Sequence, residues 1–355
     1  MNQEFIEALK EIVKEKGISE ELLFTTIEDA LVAAYKKNYI GHGVSNQNVK
    51  VTMNRENGEI HVYSQKSIID NVADSVSEIS LEDAKAIDPN YNMGDVINIE
   101  VTPRKFGRVA AQAAKQVVIQ RIKEEERRII YNDFVEKEDD IITGTVIRKD
   151  KNNILVNLGK TEAVLGPTEQ IPGEKYNFND KLKLYIVEVK NTTKGAQIVI
   201  SRTHPGLIKR LFELEVPEVF DGTVDIRSVA REAGSRTKIA VHSNDENVDP
   251  MGACVGPKGV RVQNIVNELK SEKIDIIKWS KLPEEYIANA LSPAKVLDVT
   301  LDEEIKFAQI VVDDSQLSLA IGKEGQNVRL AAKLTGWKID IKSKSQSDIE
   351  DEKID

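Results

Sequence analysis

The N-terminal part of the chain opens with two stretches in which apolar residues recur every three or four positions, a spacing that favours amphipathic helices. The first stripe consists of Phe5, Ile6, Leu9, Ile12 and Val13. The second consists of Leu23, Ile27, Ala30, Leu31, Ala34 and Tyr35. Ser19 is placed to cap the second helix. The pattern therefore predicts two helices before any strand.

Strict alternation of apolar and polar residues follows these helices. Residues 49–53 and 60–63 alternate on either side of an Asn-Gly pair at 57–58, the strongest short signal for a hairpin. A further strand is predicted at 96–101, and a long helix at 106–131. Together these elements predict an α/β head followed by a long connecting helix.

The next part of the chain consists of short alternating segments separated by turn residues. The predicted strands are 141–148, 153–158, 161–165, 181–190 and 197–200. Five closely spaced short strands are typical of an OB-type barrel, a fold that often binds single-stranded nucleic acid. The sequence therefore predicts a five-stranded OB barrel, of the S-one type.

The chemistry of this barrel is less typical than its strand pattern. OB barrels that hold single strands stack bases on aromatic residues, and the second and third predicted strands have none. The nearest aromatic candidates are Tyr176, Phe178 and Tyr185, and we expect one of them to belong to the core. We expect the barrel to bind RNA weakly, or to act partly as a spacer. Its candidate RNA contacts are Arg148, Lys149 and Lys151.

The C-terminal part contains one structural unit twice. Each copy reads helix, strand, strand, helix, helix, strand, which is the bacterial, or type II, arrangement of the KH fold, and the final strand carries Lys-Ile-Asp-Ile both times. Between the last two helices lies a glycine loop, Gly256-Pro257-Lys258-Gly259 in the first copy and Gly322-Lys323-Glu324-Gly325 in the second. Because Pro283 follows Trp279 almost at once, we expect the two units to pack rigidly and to present one track.

The loops carry the candidate chemistry of these units. Glycines let backbone N–H groups and a helix N-terminus approach sugar-phosphate, and each loop holds a lysine. KH domains clamp about four nucleotides of single-stranded nucleic acid in this way. Side chains of the helices after the loops are further candidates for contacts with base edges or phosphate, against the alternative of ordinary exposed helix faces: Arg261, Gln263, Asn264, Gln326, Asn327 and Arg329. Arg261 and Arg329 are preferred because they lie nearest the loops.

The charge of the chain has to be considered by segment. The formal net charge is −10, which taken alone argues against a nucleic-acid partner. Residues 104–128 nevertheless carry 8 basic and 3 acidic groups, and residues 202–344 carry 21 and 22. Four cations surround the first turns of the long helix: Arg104, Lys105, Arg108 and Lys115. They indicate either an RNA or acidic-protein contact or a solvated helix end, while the acidic N-terminal region favours a protein partner.

The sequence shows no catalytic or metal-binding constellation. His42, His61, His204 and His242 are scattered singly, and no acidic cluster has metal-pair spacing. The single cysteine, Cys254, is expected to be a small buried helix residue. We expect no enzyme activity, cofactor or metal. Without a signal-peptide pattern or a long apolar run, we expect a cytoplasmic protein with no membrane contact.

Four segments make a family resemblance specific. They are RKFGRVAAQAAKQV at 104–117, SRTHPGLIKRLFELEVPE at 201–218, GACVGPKGVRVQNIVNEL at 252–269 and LAIGKEGQNVRLAAKLTGWKIDI at 319–341. Together with the order of the units, they resemble the NusA family of bacterial transcription factors, over essentially the whole chain to about Lys344. The implied fold class is α+β multidomain.

The resemblance implies a division of labour along the chain. Residues 1–133 would bind core RNA polymerase near its RNA exit channel, and an OB barrel (134–201) and two KH domains (202–281 and 282–344) would hold nascent single-stranded RNA. Such a factor favours pausing and hairpin-dependent termination, and joins antitermination complexes with other Nus factors and a ribosomal protein; we expect a monomer. Residues 345–355 form a short acidic tail, where some relatives continue into acidic repeats that restrain RNA binding, so we expect that restraint to be absent.

Two other functions stay open on the residues alone. KH and OB modules also accompany nuclease cores, although no nuclease chemistry is visible here. A ribosome-associated or messenger-associated RNA binder without polymerase contact is the other alternative. An acidic N-terminal domain is unnecessary for a protein that only holds RNA, so binding of polymerase by this domain distinguishes the two classes.

Overall fold

The structure is a computed structural model that describes residues 3–16, 19–39, 48–193, 195–270 and 272–351. The chain forms two compact units, Met1–Ile129 and Ile130–Asp355. The helices that begin in the first unit are α1 (Gln3–Lys16), α2 (Glu20–Tyr39), α3 (Leu81–Ile87) and α4 (Phe106–Val135). Its strands are β1 (Asn48–Met53), β2 (Ile60–Ile69), β3 (Glu78–Ser80) and β4 (Val96–Glu100).

The first unit is the predicted α/β head. The predicted hairpin is confirmed, since β1 and β2 pair antiparallel from Asn48↔Gln65 to Met53↔Ile60. β4 pairs antiparallel with β2, and β3 pairs parallel with the C-terminal end of β2. The predicted apolar stripes enter one core with α4, apart from Ala30 and Ala34, which are half-buried, and Ile12, whose side chain lies outside the described residues. α3 and β3 were not predicted, although Ser80 caps α3 by accepting a hydrogen bond from the Asp83 N–H.

The barrel contains all five predicted strands, with slightly different ends. They are β5 (Ile141–Asp150), β6 (Asn153–Asn157), β7 (Glu162–Leu165), β8 (Lys181–Thr192) and β9 (Gly195–Ser201). The hydrogen-bonded order is β7-β6-β5-β8-β9, and β7 and β9, the ends of that order, lie side by side, so the sheet is nearly closed. Phe134, near the end of α4, is buried in the barrel core. The long helix therefore continues past its predicted end and contributes to the barrel.

The two C-terminal copies have the predicted order of elements. The first contains α5 (Pro205–Glu215), α6 (Pro217–Phe220), β10 (Val224–Glu232), β11 (Arg236–Ser243), α7 (Pro250–Val255), α8 (Val260–Glu268) and β12 (Lys273–Lys278). The second contains α9 (Pro283–Ala290), β13 (Val296–Asp302), β14 (Phe307–Val312), α10 (Leu317–Ile321), α11 (Gln326–Thr335) and β15 (Lys338–Ser343), followed by α12 (Lys344–Asp351). In each copy the middle strand pairs antiparallel with the first strand and parallel with the last. Only the short α6 and α12 were not predicted.

The two copies share a hydrophobic core, as the short connection between them predicts. Ala230, Ala240 and Ile277 of the first copy are buried in one cluster with residues of the second, including Ile287 and Leu330. A buried lysine of β11 also crosses this boundary: Lys238 Nζ donates to the Ser292 carbonyl at 2.7 Å. The copies are therefore packed as one body.

A buried ion network joins the barrel to the first copy. Arg202 is fully buried and donates to the Glu174 carboxylate at 2.7 and 2.8 Å, to Glu268 Oε1 at 3.0 Å and to the Lys183 carbonyl at 2.7 Å. Nearby, Tyr185 stacks on His204 with ring centroids 4.6 Å apart. Tyr185 is thus the core member expected among the three barrel aromatics.

Candidate nucleic-acid interface

The two glycine loops have the same backbone conformation. The first glycine has φ/ψ of 72°/174° at Gly256 and 75°/175° at Gly322. The third residue has φ/ψ of 51°/24° at Lys258 and 53°/28° at Glu324, a left-handed conformation that is uncommon outside glycine. The last glycines, at 259 and 325, are also left-handed. Two different sequences therefore build one loop shape, each at the start of an amphipathic helix.

The first glycine of each loop is required by the fold. Its backbone conformation is one that only glycine adopts readily. A Cβ on Gly256 would also lie 2.6 Å from Arg261 Cγ, and a Cβ on Gly322 would lie 2.8 Å from Asn327 Cβ and 2.9 Å from its backbone nitrogen. This glycine lets the following helix pack directly beneath the loop.

The last glycine of each loop faces open space. A Cβ on Gly259 would meet no atom within 4 Å, and one on Gly325 would meet only atoms at 3.9 Å. The loop residues between the glycines, Pro257 and Lys258 in one case and Lys323 and Glu324 in the other, are exposed. Here the missing side chain serves no internal packing, and leaves room for a ligand to approach the backbone.

Exposed apolar side chains flank both loops. They are Met251, Val255 and Val260 around the first loop, and Leu319 and Ile321 before the second. Each loop thus combines an accessible backbone and a lysine with apolar surface. Bases of a single strand bind to apolar surface while phosphates bind to N–H groups and cations, so this combination suits single-stranded nucleic acid.

Arg261, predicted as an RNA contact, is engaged inside the first copy. Its Nη1 donates to Glu218 Oε2 at 2.8 Å and to the Ala253 carbonyl at 2.7 Å. Its stem packs under Gly256. The structure therefore places Arg261 as a support of the first loop, with its charge paired to α6.

Arg329 and Gln326, predicted as RNA contacts of the second loop, reach the first copy instead. Arg329 Nε donates to Glu232 Oε1 at 2.7 Å, and Gln326 Nε2 donates to Glu232 Oε2 at 2.8 Å and to Ser235 Oγ at 2.7 Å. Arg329 Nη1 also donates to the Glu324 carbonyl at 3.0 Å, within the loop. The hydrogen bond from Arg329 holds the pKa of the Glu232 carboxyl below its ordinary value. A carboxylate of β10 thus supports the second loop.

The other polar residues after the loops are also engaged. Asn327 is buried, and its Nδ2 donates to the carbonyls of Leu291 and Ala320 at 2.9 and 3.1 Å. Gln263 Nε2 donates to Asn267 Oδ1, and Asn264 Nδ2 donates to Glu215 Oε2. These amides are therefore engaged with neighbouring groups of the fold, although Gln263 and Asn264 remain exposed.

Sequence reasoning did not find the two carboxylates behind the loops. Glu218 follows a Pro that marks the start of a helix, but no local pattern relates it to Arg261. Glu232 lies far from Arg329 along the chain. Such contacts depend on tertiary packing, and no local sequence signal could have found them.

The remaining predicted cations lie on exposed surface. Arg148 and Lys149, at the end of β5, are exposed. In the first unit, Arg104, Lys105, Arg108 and Lys115 are exposed around the start of α4, and none has a hydrogen-bond or ion-pair partner among the residues that the structure describes. In the described part of the unit, no neighbouring carboxylate therefore compensates the positive charge at this helix start.

Other kinds of site find no support in the described ranges. Burial raises the pKa of the Cys254 thiol to about 12, so this cysteine is a poor nucleophile at neutral pH. Among the described side chains, no group of three or more His, Cys, Asp or Glu could hold a metal ion. No helix in that part of the chain combines the length and apolar character needed to span a membrane.

Family models match the chain in four consecutive segments. They are the NusA N-terminal domain at 4–128, the S1 RNA binding domain at 136–201, the NusA-like first KH domain at 202–279 and the NusA-like second KH domain at 283–349. These matches, with the observed sheets, confirm the predicted fold class.

Curated relatives match over nearly the whole length. The chain is 61% identical over 347 residues to the transcription termination/antitermination protein NusA of Halalkalibacterium halodurans, covering 98% of this chain and 90% of that protein. It is 58% identical to the protein of the same name from Bacillus subtilis, covering 98% and 92%. A solution structure of the N-terminal domain of NusA from B. subtilis is 51% identical, with a TM-score of 0.33, and covers 36% of this chain and 99% of that one.

Proposed function

Since this chain belongs to the NusA family of transcription termination/antitermination proteins, we propose that it holds nascent single-stranded RNA in its two glycine loops while its first unit binds core RNA polymerase. The chain is a transcription termination/antitermination factor that interacts with RNA and the transcription machinery. The proposal concerns which residues make these contacts and which partners are involved.

The observation that carries the proposal is the repeated loop. Two loops of one backbone shape, each with an open last glycine and an exposed lysine, occur in copies that share a core. Each loop would clamp about four nucleotides, and a fixed spacing would let one strand pass from one loop to the other. The RNA contacts are then Gly256, Pro257, Lys258 and Gly259 with Gly322, Lys323, Glu324 and Gly325.

The arginines behind the loops have a second role in this proposal. Arg261 and Arg329 are tied to carboxylates, and a phosphate at the loop would share their remaining N–H donors. Gln326 is tied in the same way and would act through the loop backbone rather than by reading a base. These three residues therefore position the clamps.

The first unit is proposed as the polymerase contact. Residues 1–103 carry 9 basic and 18 acidic groups, which suits a basic protein surface better than RNA. The exposed cations Arg104, Lys105, Arg108 and Lys115 would then contact either RNA or an acidic part of the polymerase. Within such a complex, pausing, intrinsic termination and antitermination with other Nus factors and a ribosomal protein would follow from simultaneous contact with polymerase and transcript.

The proposed domains follow these roles: 1–133 for polymerase, 134–201 for the barrel, 202–281 and 282–344 for the KH domains, and 345–355 for the acidic tail. We place the protein in the cytoplasm as a monomer without catalytic activity. Phe134 and the last turns of α4 pack into the barrel core. Experiments that divide the chain should therefore separate it between residues 129 and 130, where the two compact units meet in the sequence.

Replacement of the loop centres tests the clamps. The variants are Pro257→Asp with Lys258→Asp, and Lys323→Asp with Glu324→Asp, which keep both glycines and place carboxylates where phosphate would lie. Each pair is expected to weaken RNA binding in fluorescence anisotropy, and all four substitutions together to nearly abolish it. Exposed substitutions usually change stability by only about 0.5 kcal/mol, so thermal melts should be unchanged.

The polymerase contact is tested by capture on immobilised core polymerase in the absence of RNA. Residues 1–129 should be retained, and residues 130–355 should not. Full RNA affinity in a folded quadruple variant would reject the clamps, whereas equal retention of both fragments would reject the polymerase assignment. The two results are independent of each other.

A further inference from the structure

One aromatic side chain of the barrel protrudes into solvent. Phe178 is 79% exposed, although the other barrel aromatics named above are half-buried or buried. It lies in a tight turn in which the Asn177 N–H and Nδ2 both donate to Asp180 Oδ2, at 2.8 and 3.1 Å. The turn itself is held to β5, because the Asn179 N–H donates to the Val146 carbonyl and the Val146 N–H donates to the Asp180 carbonyl, both at 2.9 Å. An exposed ring is thus presented on an ordered backbone.

The turn that carries this ring lies beside the basic end of β5. β5 and β8 pair up to Thr145↔Lys181, and the hydrogen bonds of Asn179 and Asp180 with Val146 hold the turn next to β5, two residues before Arg148. Backbone segments joined by such hydrogen bonds lie roughly 4.8 Å apart, so a base stacked on the ring is within reach of the long side chains that follow Val146. The exposed cations at this end are Arg148, Lys149 and Lys151.

These cations are available for a ligand. None of the three has a hydrogen-bond or ion-pair partner in the ranges that the structure describes, whereas the barrel's Lys160 and Lys190 pair with Asp133 and Glu188. Of the nearby carboxylates, Asp180 is occupied by the turn and Asp150 is exposed between two lysines. An unpaired basic group beside an exposed ring is the combination that holds a single strand by stacking and phosphate contact.

The turn is also fixed relative to the first glycine loop. Glu174 lies four residues before Phe178, and its buried carboxylate pairs with Arg202, which donates to Glu268 at the end of α8. The first glycine loop lies at the other end of this nine-residue helix, about 13 Å away by helical rise. Ring and loop therefore keep a constant separation.

We propose that Phe178 is a base-stacking residue and that, with Arg148, Lys149 and Lys151, it forms a second RNA-binding site on the barrel. The site lies on the turn before β8, away from the second and third strands, which carry no aromatic residue. It rests on the proposed function and extends it: single-stranded RNA held by the glycine loops continues onto this ring.

RNA length separates the new site from the clamps. Two clamps of about four nucleotides each cover an RNA of about ten nucleotides, and an RNA twice as long would reach the barrel. Stacking of one base on an aromatic ring strengthens RNA affinity by roughly five- to thirtyfold, taken from the lower part of the range found by alanine substitution. Phe178→Ala in the full chain should therefore weaken binding of a twenty-nucleotide unstructured RNA by about that factor, and leave the ten-nucleotide RNA unchanged. Phe178→Trp should retain the affinity of the wild type.

Phe220 provides a matched control because it is also 79% exposed, but lies between Glu218 and Asp221 rather than beside unpaired cations. Phe220→Ala should affect neither RNA. Unchanged binding of the long RNA by Phe178→Ala, or equal losses in both alanine variants, would overturn the proposed site. The quadruple loop variant completes the design: if only it loses the short RNA, the clamps stand whatever happens at Phe178. The fluorescence of Phe178→Trp should change on RNA addition by more than that of the wild type, which contains only Trp279 and Trp337. An equal change in the two proteins would count against stacking.

Discussion

The two glycine loops have nearly identical backbones and different foundations. Under the first loop lies Arg261, whose charge is paired with Glu218 of the same copy. Under the second lies the buried amide of Asn327, and the arginine beside that loop, Arg329, is paired with Glu232 of the other copy. The first loop is therefore supported within its own copy, and the second loop is supported by both.

The difference shows how a duplicated unit can keep its loop shape while its interior diverges. Backbone shape is set by the glycines and by the helix that follows, and both copies satisfy these requirements with different side chains. The second copy has in addition become dependent on the first, through a shared core and a carboxylate at their boundary. We expect loss of Glu232, in the first copy, to reach the second loop, whereas a change at Glu218 should stay at the first loop.

The largest effect is expected from the first glycine of the second loop. In Gly322→Ala the new methyl group would meet the backbone nitrogen of Asn327, which cannot move without moving α11. Together with a disallowed backbone conformation, this should cost about 3 kcal/mol or more. Gly256→Ala carries the same conformational penalty of about 1–3 kcal/mol, but should cost less in total, because Cγ and Cδ of Arg261 can move by a side-chain rotation that gives up the ion pair.

Urea unfolding followed by tryptophan fluorescence measures this difference. Both tryptophans, Trp279 and Trp337, lie in the KH pair and so report on it selectively. Gly259→Ala and Gly325→Ala are matched controls, because their methyl groups enter open space and only the left-handed conformation is penalised, by about 1 kcal/mol. Equal losses at positions 256 and 322 would show that the two foundations are equivalent.

The sequence predicts the repeated part of this comparison and not the divergent part. The repeated glycines, flanking helices and Lys-Ile-Asp-Ile strand are local sequence patterns. The loop positions and most element bounds could therefore be predicted. The roles of Arg261 and Arg329 could not, since Glu218 and Glu232 reach them only after the chain folds. A short element such as α3 carries only a capping signal at Ser80, too weak to stand out beside longer apolar patterns.

The charges between the glycines give the next largest effect. Lys258 and Glu324 occupy the same left-handed position, so exchanging charge there alters no backbone requirement. Glu324→Lys should raise RNA affinity and steepen the slope of log K against log salt by about 0.7, the value for one further phosphate contact on a single strand. Lys258→Glu should do the opposite in the first loop. From about three to five phosphate contacts, the slope of the wild-type chain should be roughly −2 to −3.5.

Anisotropy titrations at several salt concentrations provide these slopes. Glu304→Lys adds the same charge on the exposed turn between β13 and β14, and controls for the general field of the protein. A similar gain from this distant charge would mean that the loop position has no special access to phosphate.

The one-way support of the second loop predicts a smaller, local effect. Glu232→Ala removes the acceptor of Arg329 and Gln326, and should speed amide hydrogen exchange in residues 323–325 by about two- to fivefold, as expected for a partly exposed ion pair. Glu218→Ala should speed exchange only around the first loop. Faster exchange at the second loop in Glu218→Ala, or none in Glu232→Ala, would contradict the asymmetry.

The smallest effect is the dependence of this support on pH. The hydrogen bond from Arg329 lowers the pKa of Glu232 below its ordinary value of 4.5, so the carboxylate stabilises the fold above that value. Acidification through the lowered pKa protonates the carboxylate and removes the stabilisation. Protection factors of residues 323–325 should therefore stay constant above about pH 5.5 and fall as the pH is lowered through 4.5 and below. In Glu232→Gln, whose amide does not titrate, this fall should be smaller, while the first loop should show the same pH dependence in both proteins. If the two proteins lose protection equally at the second loop, the carboxylate of Glu232 is not what couples that loop to the first copy.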